Sequence, residues 1–237
     1  MTNLQTINRL RHVEKRIAQA CQQHNQPPPL LLAVSKTRKA NEIQNLIAAG
    51  VRDFGENYLQ EALEKQQQLK DQNVNWHFIG PIQSNKSRHI AENFHWVHSV
   101  DRLKLAQRLS NQRPDCMPAL QICLQVNIDN ETSKSGFLVD DVLNAAINIC
   151  QLPNIQLRGL MCIPIKREDF TQQQKVFSQL KSLLQTINQQ LPNHCPALDT
   201  LSMGMSADLE AAISEGSTII RVGTALFGPR PDYEAST

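Results

Sequence analysis

The sequence predicts an α/β protein, a single (β/α)8 barrel (TIM barrel) with an extra N-terminal helix. Three observations predict it. Short apolar runs of strand length alternate with segments of helical period eight times along the chain. The chain has 237 residues, near the roughly 250 usual for such a barrel. It has only nine glycines, and Gly55, Gly80, Gly204 and Gly223 follow strand-like runs, at the turns where a barrel builds its site. The competing architecture, a doubly wound open sheet, would carry a glycine-rich loop after its first strand. Ser35-Lys36-Thr37-Arg38-Lys39 has no glycine.

Leu4, Ile7, Leu10, Ile17 and Ala18 recur at helical spacing, which predicts an amphipathic helix over 1–25, ended by Pro27-Pro28-Pro29. The first strand, from Leu30, leads into a helix over 41–49 closed by Gly50. Strand and helix then recur at 51–54 and 58–69, 76–79 and 87–93, and 96–100 and 101–111. The pattern continues with 120–126 and 140–151, 155–161 and 168–191, and 200–202 and 207–215, before a last strand at 218–222. Residues 229–237 are a short polar tail holding Tyr233, and 1–237 is expected to be one domain.

Lys and Arg number 24 against 22 Asp and Glu, a formal net charge of +2. Such a balance supplies no overall field for nucleic acid or a membrane surface, so neither is an expected partner. Six cysteines lack metal-knuckle or disulfide-scaffold spacing and are expected to be reduced. The N-terminus mixes Arg9, Arg11, Glu14, Lys15 and Arg16 among its apolar residues. It has no signal-peptide core, so a cytoplasmic location is expected, and the protein is expected to be a monomer.

Chemistry concentrates at Leu30-Leu31-Leu32-Ala33-Val34-Ser35-Lys36. Strand alternation puts Leu30, Leu32, Val34 and Lys36 on one face. A half-buried amine at the carboxyl end of a barrel strand either attacks an aldehyde to form a Schiff base or snorkels to solvent. Arg221, on the last strand, becomes the neighbour of the first when the barrel closes and is expected beside Lys36. It would either meet a ligand or pair with a rim carboxylate such as Glu56. The loops Ser202-Met203-Gly204-Met205-Ser206 and Gly223-Thr224 follow strands seven and eight, where barrels often hold phosphate. Ser206 also reads as an N-cap for the helix at 207–215. Asn57, after Phe54-Gly55-Glu56, is placed to reach into the mouth, although turn chemistry alone would explain it. Lysine at one end and phosphate loops at the other suit a ligand with an aldehyde and a phosphate, a description that pyridoxal 5′-phosphate (PLP) meets.

Ala33-Val34-Ser35-Lys36-Thr37, Phe54-Gly55-Glu56-Asn57-Tyr58, Trp76-His77-Phe78-Ile79-Gly80 and His98-Ser99-Val100-Asp101 resemble the YggS/PROSC family of pyridoxal phosphate homeostasis proteins. The match continues through Ser133-Lys134-Ser135-Gly136, Arg158-Gly159-Leu160-Met161, Leu201-Ser202-Met203-Gly204-Met205-Ser206 and Arg221-Val222-Gly223-Thr224. It covers nearly the whole chain. The resemblance implies a fold similar to fold-type III PLP enzymes, with PLP as an internal aldimine on Lys36. It implies phosphate contacts from Ser206, Gly223 and Thr224, with Arg221 facing the pyridine nitrogen; Met203 and Asn57 are also expected among the cofactor-binding residues. Where family members often read Ser-Lys-Thr-Lys-Pro, this chain has Arg38-Lys39-Ala40. The implied role is cofactor storage, protection or delivery to PLP-dependent apoenzymes, without catalytic turnover.

An arginine at the ring nitrogen keeps the pyridine unprotonated and weakens the cofactor as an electron sink. The alternative is a fold-type III racemase or decarboxylase, which needs a general acid or base near Lys36. His77 is its best candidate, with Tyr58 and Tyr233 the tyrosines on offer. A Schiff-base aldolase acting on a sugar phosphate is a further rival. Lys134 is either a second capture point for PLP or a solvated lysine. Arg38 and Lys39 either draw a phosphate to the mouth or solubilise the loop. Trp76 and Trp96 read as core.

Overall fold

A computed structural model describes residues 3–132 and 134–229. The strands are β1 Leu30–Val34, β2 Asp53–Glu56, β3 Asn75–Phe78, β4 Trp96–Val100, β5 Leu120–Val126, β6 Ile155–Cys162, β7 Thr200–Ser202 and β8 Ile219–Val222. They pair in parallel in chain order, and β8 closes on β1, so the expected barrel is the fold found.

Around it run α1 Asn3–His24, α2 Ala40–Ala48, α3 Leu59–Gln68, α4 Ser87–Asn93, α5 Leu103–Gln112, α6 Val142–Ile149, α7 Phe170–Gln190, α8 Leu209–Ser214 and α9 Thr224–Phe227. The helices bury apolar stripes on the outer face of the sheet. Phe54, Phe94 and Phe177 are fully enclosed there, and each such side chain contributes about 1.5–3 kcal/mol through burial. The extra helix α1 buries Leu10, Val13, Ile17 and Ala20 against α8, α9 and α2. Among the described residues no helix is long and apolar enough to cross a membrane.

Four details differ from the sequence expectations. β2 begins at Asp53 and includes Gly55, so this glycine is inside a strand. A Cβ on it would lie 3.2 Å from Ile79 and 3.3 Å from Leu32, so it makes room for barrel packing where a turn was expected. Helix α8 starts at Leu209, after a turn over 206–208. The short helix α9 follows β8 directly. A disulfide joins Cys150 to Cys195, where reduced thiols were expected. These residues are 45 positions apart and meet where the end of α6 faces the loop before β7, a proximity that chain spacing does not encode. Of the tail, only Pro229 is among the described residues; Tyr233 and Ser133 lie outside them.

Candidate functional site

At the carboxyl ends of the strands, Lys36, Asn57, Ser206, Arg221, Gly223 and Thr224 line one cavity of about 280 Å³, with Val34, Ile79, Ile163 and Met205 as its apolar wall. Six of the seven predicted site residues therefore converge. The seventh, Met203, is fully buried in the core, where its carbonyl accepts from Ser217 Oγ at 2.7 Å, and Met205 reaches the cavity in its place. A larger groove of about 550 Å³ lies between α7 and the segment carrying Ile128 and Val139, with Lys175 as its one charged wall residue, and none of the predicted site residues lines it.

Lys36 sits two residues past β1, half-buried, in a turn closed by the Arg38 amide donating to the Ser35 carbonyl at 3.0 Å. Both of its neighbours are pinned. Ser35 Oγ donates to Glu56 at 2.6 Å, and the Thr37 amide donates to Glu61 at 2.5 Å. Lys65 Nζ joins these groups, donating to the Ser35 carbonyl, Glu56 and Glu61 at 2.6–2.7 Å. Burial pushes the Glu56 carboxyl up against the opposing pull of Lys65. Thr37 has φ 62°, in the left-handed region that a β-branched residue seldom enters, so the chain is strained next to the lysine.

Arg221 does not lie beside Lys36 in register. The parallel pairing sets it opposite Leu32, four residues before Lys36 and so deeper in the barrel, and both side chains reach the cavity from different depths. Its Nη1 donates to Ser202 Oγ at 2.8 Å and its Nη2 to the Cys162 carbonyl at 2.8 Å. The expected rim carboxylate, Glu56, is instead taken by Lys65. Burial lowers the guanidinium pKa.

Ser206 is not the α8 cap. Asp208 takes the Met205 amide at 2.6 Å, while Arg16 on α1 holds the Ser206 carbonyl at 3.1 Å. Gly204 (φ 90°) serves packing, since a Cβ there would lie 2.5 Å from that of Ala212. Gly223 and Thr224 open α9, where the Leu226 and Phe227 amides return to the Gly223 carbonyl at 2.9 and 3.0 Å. The Asn57 Oδ1 atom is buried without a hydrogen-bond partner, and its backbone is held against Gly80, where a Cβ would lie 2.2 Å from the Asn57 carbonyl.

Arg38 shares a small cavity with Lys36, Gly223 and Thr224, and the other candidates fall outside the mouth. Arg38 is buried, donating to the carbonyls of Gly228 at 2.6 Å and Pro229 at 2.9 Å, so it ties down the chain after α9. Lys134 pairs with Glu131 and lines a second cavity of about 310 Å³ that shares Asn57, Ile79 and Ile163 with the first. His77 is fully buried between Asp53 and His98 and does not line the mouth. Trp76 is core, and Trp96 stacks on His77. The network of Glu56, Glu61 and Lys65 was missed; the i, i+4 spacing of Glu61 and Lys65 is its one sequence signal.

Barrel and mouth together define a protein of the alanine racemase N-terminal domain class, and the family model of that description matches residues 8–231. The fold is similar to that of Clostridium difficile alanine racemase, with a TM-score of 0.70 at 13% identity over 96% of this chain and 58% of the racemase. At closer range, the chain is 56% identical over 225 residues, 94% of each chain, to the pyridoxal phosphate homeostasis protein of Pseudomonas aeruginosa. It is also similar to the structure of PipY of Synechococcus elongatus with PLP bound, at TM-score 0.79 and 39% identity over 90% of this chain and 99% of PipY. The chain belongs to the pyridoxal phosphate homeostasis protein family.

Proposed function

We propose that this protein binds PLP in the mouth cavity through Lys36 and serves intracellular cofactor homeostasis by storage, protection or delivery to PLP-dependent apoenzymes. The observation that carries the proposal is the convergence of an amine, a buried guanidinium, the Ser206 and Thr224 hydroxyls and the Gly223 backbone on one cavity of about 280 Å³. The buried, unpartnered Asn57 Oδ1 at its wall is the kind of atom that a bound polar group would satisfy.

When bound, PLP would supply an aldehyde within reach of the Lys36 amine. Ser206, Gly223 and Thr224 would hold the phosphate, Arg221 would face the ring nitrogen and keep it unprotonated, and Asn57 and the apolar wall would orient the ring. Met203 supports this wall from the core. The protein acts in the cytoplasm, as a monomer, without catalytic turnover. The racemase or decarboxylase reading loses support because His77 is sequestered and Tyr58 is exposed, outside the cavity lining.

The test is the visible spectrum and bound stoichiometry of the purified protein beside Lys36→Ala. The wild type is expected to be yellow, and the variant to lose the band. An unchanged band and stoichiometry in the variant would overturn the assignment, and colourless wild type trapped by borohydride only with a sugar phosphate would favour the aldolase. Steady α-proton exchange from L-alanine in deuterated water would favour the enzyme.

A further inference from the structure

Arg221 is also one end of a hydrogen-bonded chain that crosses the barrel. Its Nη1 donates to Ser202 Oγ on β7 at 2.8 Å, and Ser202 Oγ lies 2.7 Å from His98 Nδ1 on β4. His98 Nε2 lies 3.0 Å from His77 Nδ1 on β3, and His77 Nε2 lies 3.1 Å from Asp53 Oδ1 at the start of β2. Strands β4 and β7 are not neighbours in the closed barrel, so the contact between Ser202 and His98 passes through its interior. Ser202, His77 and His98 are fully buried, while the Asp53 side chain is 16% exposed at the opposite end of the barrel from the mouth.

The chain has one proton arrangement that satisfies every link without a charged imidazole. A guanidinium only donates, and a carboxylate only accepts. Arg221 therefore gives to Ser202, whose hydroxyl gives to His98 Nδ1. Next, His98 Nε2–H gives to His77 Nδ1, and His77 Nε2–H gives to Asp53. The reverse direction would turn a bare His77 Nε2 lone pair toward the carboxylate. A fully buried imidazolium pair would carry a large desolvation cost, and burial indeed lowers the pKa of both rings, that of His98 well below its ordinary value because a proton there would also be repelled by a protonated His77 and by the Arg221 guanidinium.

We infer that Asp53, His77, His98 and Ser202 are positioning residues for Arg221, a one-way relay of two neutral, Nε2-protonated histidines that fixes the guanidinium at the cavity from the far end of the barrel. The inference rests on the proposed cofactor role only in its consequence for PLP. None of these four residues lines the cavity.

Two measurements test it. Nitrogen-15 NMR of the histidine rings in the full-length, cofactor-free protein near pH 7, assigned by through-bond correlation, should show both His77 and His98 neutral with Nε2 protonated and Nδ1 bare. An Nδ1–H tautomer or an imidazolium at either position overturns the relay. In the second arm, PLP is titrated into Asp53→Ala and Asp53→Asn. The alanine variant should bind about tenfold more weakly, with a shifted visible band, about the loss of one hydrogen bond to a charged group. The asparagine variant, whose amide oxygen still accepts from His77, should stay within about twofold of wild type. Wild-type affinity and band in Asp53→Ala overturn the positioning role. Failure of the wild type to bind PLP would instead overturn the proposed function, and the ring tautomers would still decide the relay.

Discussion

Lys65 on α3 donates to the backbone carbonyl of Ser35 at 2.7 Å, one residue before Lys36. The same ammonium binds Glu56 and Glu61, and through them the Ser35 hydroxyl and the Thr37 amide. The turn that presents Lys36 is thus held from below by a buried ion pair, at the junction of β1, β2 and α3.

Removing one member of that pair leaves the other charged and buried. Lys65→Met should destabilise the protein by about 3–5 kcal/mol, read by thermal or urea denaturation. Adding Glu56→Gln should recover part of the loss. A Lys65→Met protein as stable as wild type would show that the pair does not hold the turn.

Gly80 is demanded by a neighbour, with room for no Cβ beside the Asn57 carbonyl. Gly80→Ala should cost about 1–3 kcal/mol through overpacking and push Asn57 from the cavity wall. Calorimetry should show a melting temperature lower by several degrees, and PLP titration a weaker affinity. Unchanged melting would mean that the β3–α4 loop accommodates the methyl group.

Thr37 keeps a left-handed backbone and a buried hydroxyl without a partner. Asparagine enters that region more readily, so Thr37→Asn should stabilise the fold by about 1 kcal/mol. A lower melting temperature would show that the threonine methyl packs well enough to outweigh its strain.

Asp129 joins the loop after β5 to that after β6, accepting from the Ile165 amide at 2.7 Å and pairing with Arg167. Burial pushes its carboxyl up, but the hydrogen bonds from Arg167 and Ile165 outweigh this and leave it below the ordinary value of 3.8. A lowered folded value means that its stabilisation is present above pH 3.8 and is lost as pH falls through the folded value. Denaturation midpoints followed down this range should fall more steeply in the wild type than in Asp129→Asn. Parallel curves would dismiss the linkage.

The sequence by itself determined the barrel. Alternation of period two and period 3.6 fixes which residues enter the sheet, and eight such units without a glycine-rich first loop leave closure as the economical topology. It also carried Lys36, Asn57, Ser206, Arg221, Gly223 and Thr224, because residues at the carboxyl ends of parallel strands must share one rim. Tertiary structure alone decided the depths and partners. Strand register placed Arg221 opposite Leu32, below Lys36. Packing turned Met203 into the core and sent Met205 to the cavity. Glu56 met Lys65, His77 met His98, and Cys150 met Cys195. Periodicity fixes the face on which a side chain stands, but the distances across a closed barrel follow from shear and helix docking, which no local stretch encodes.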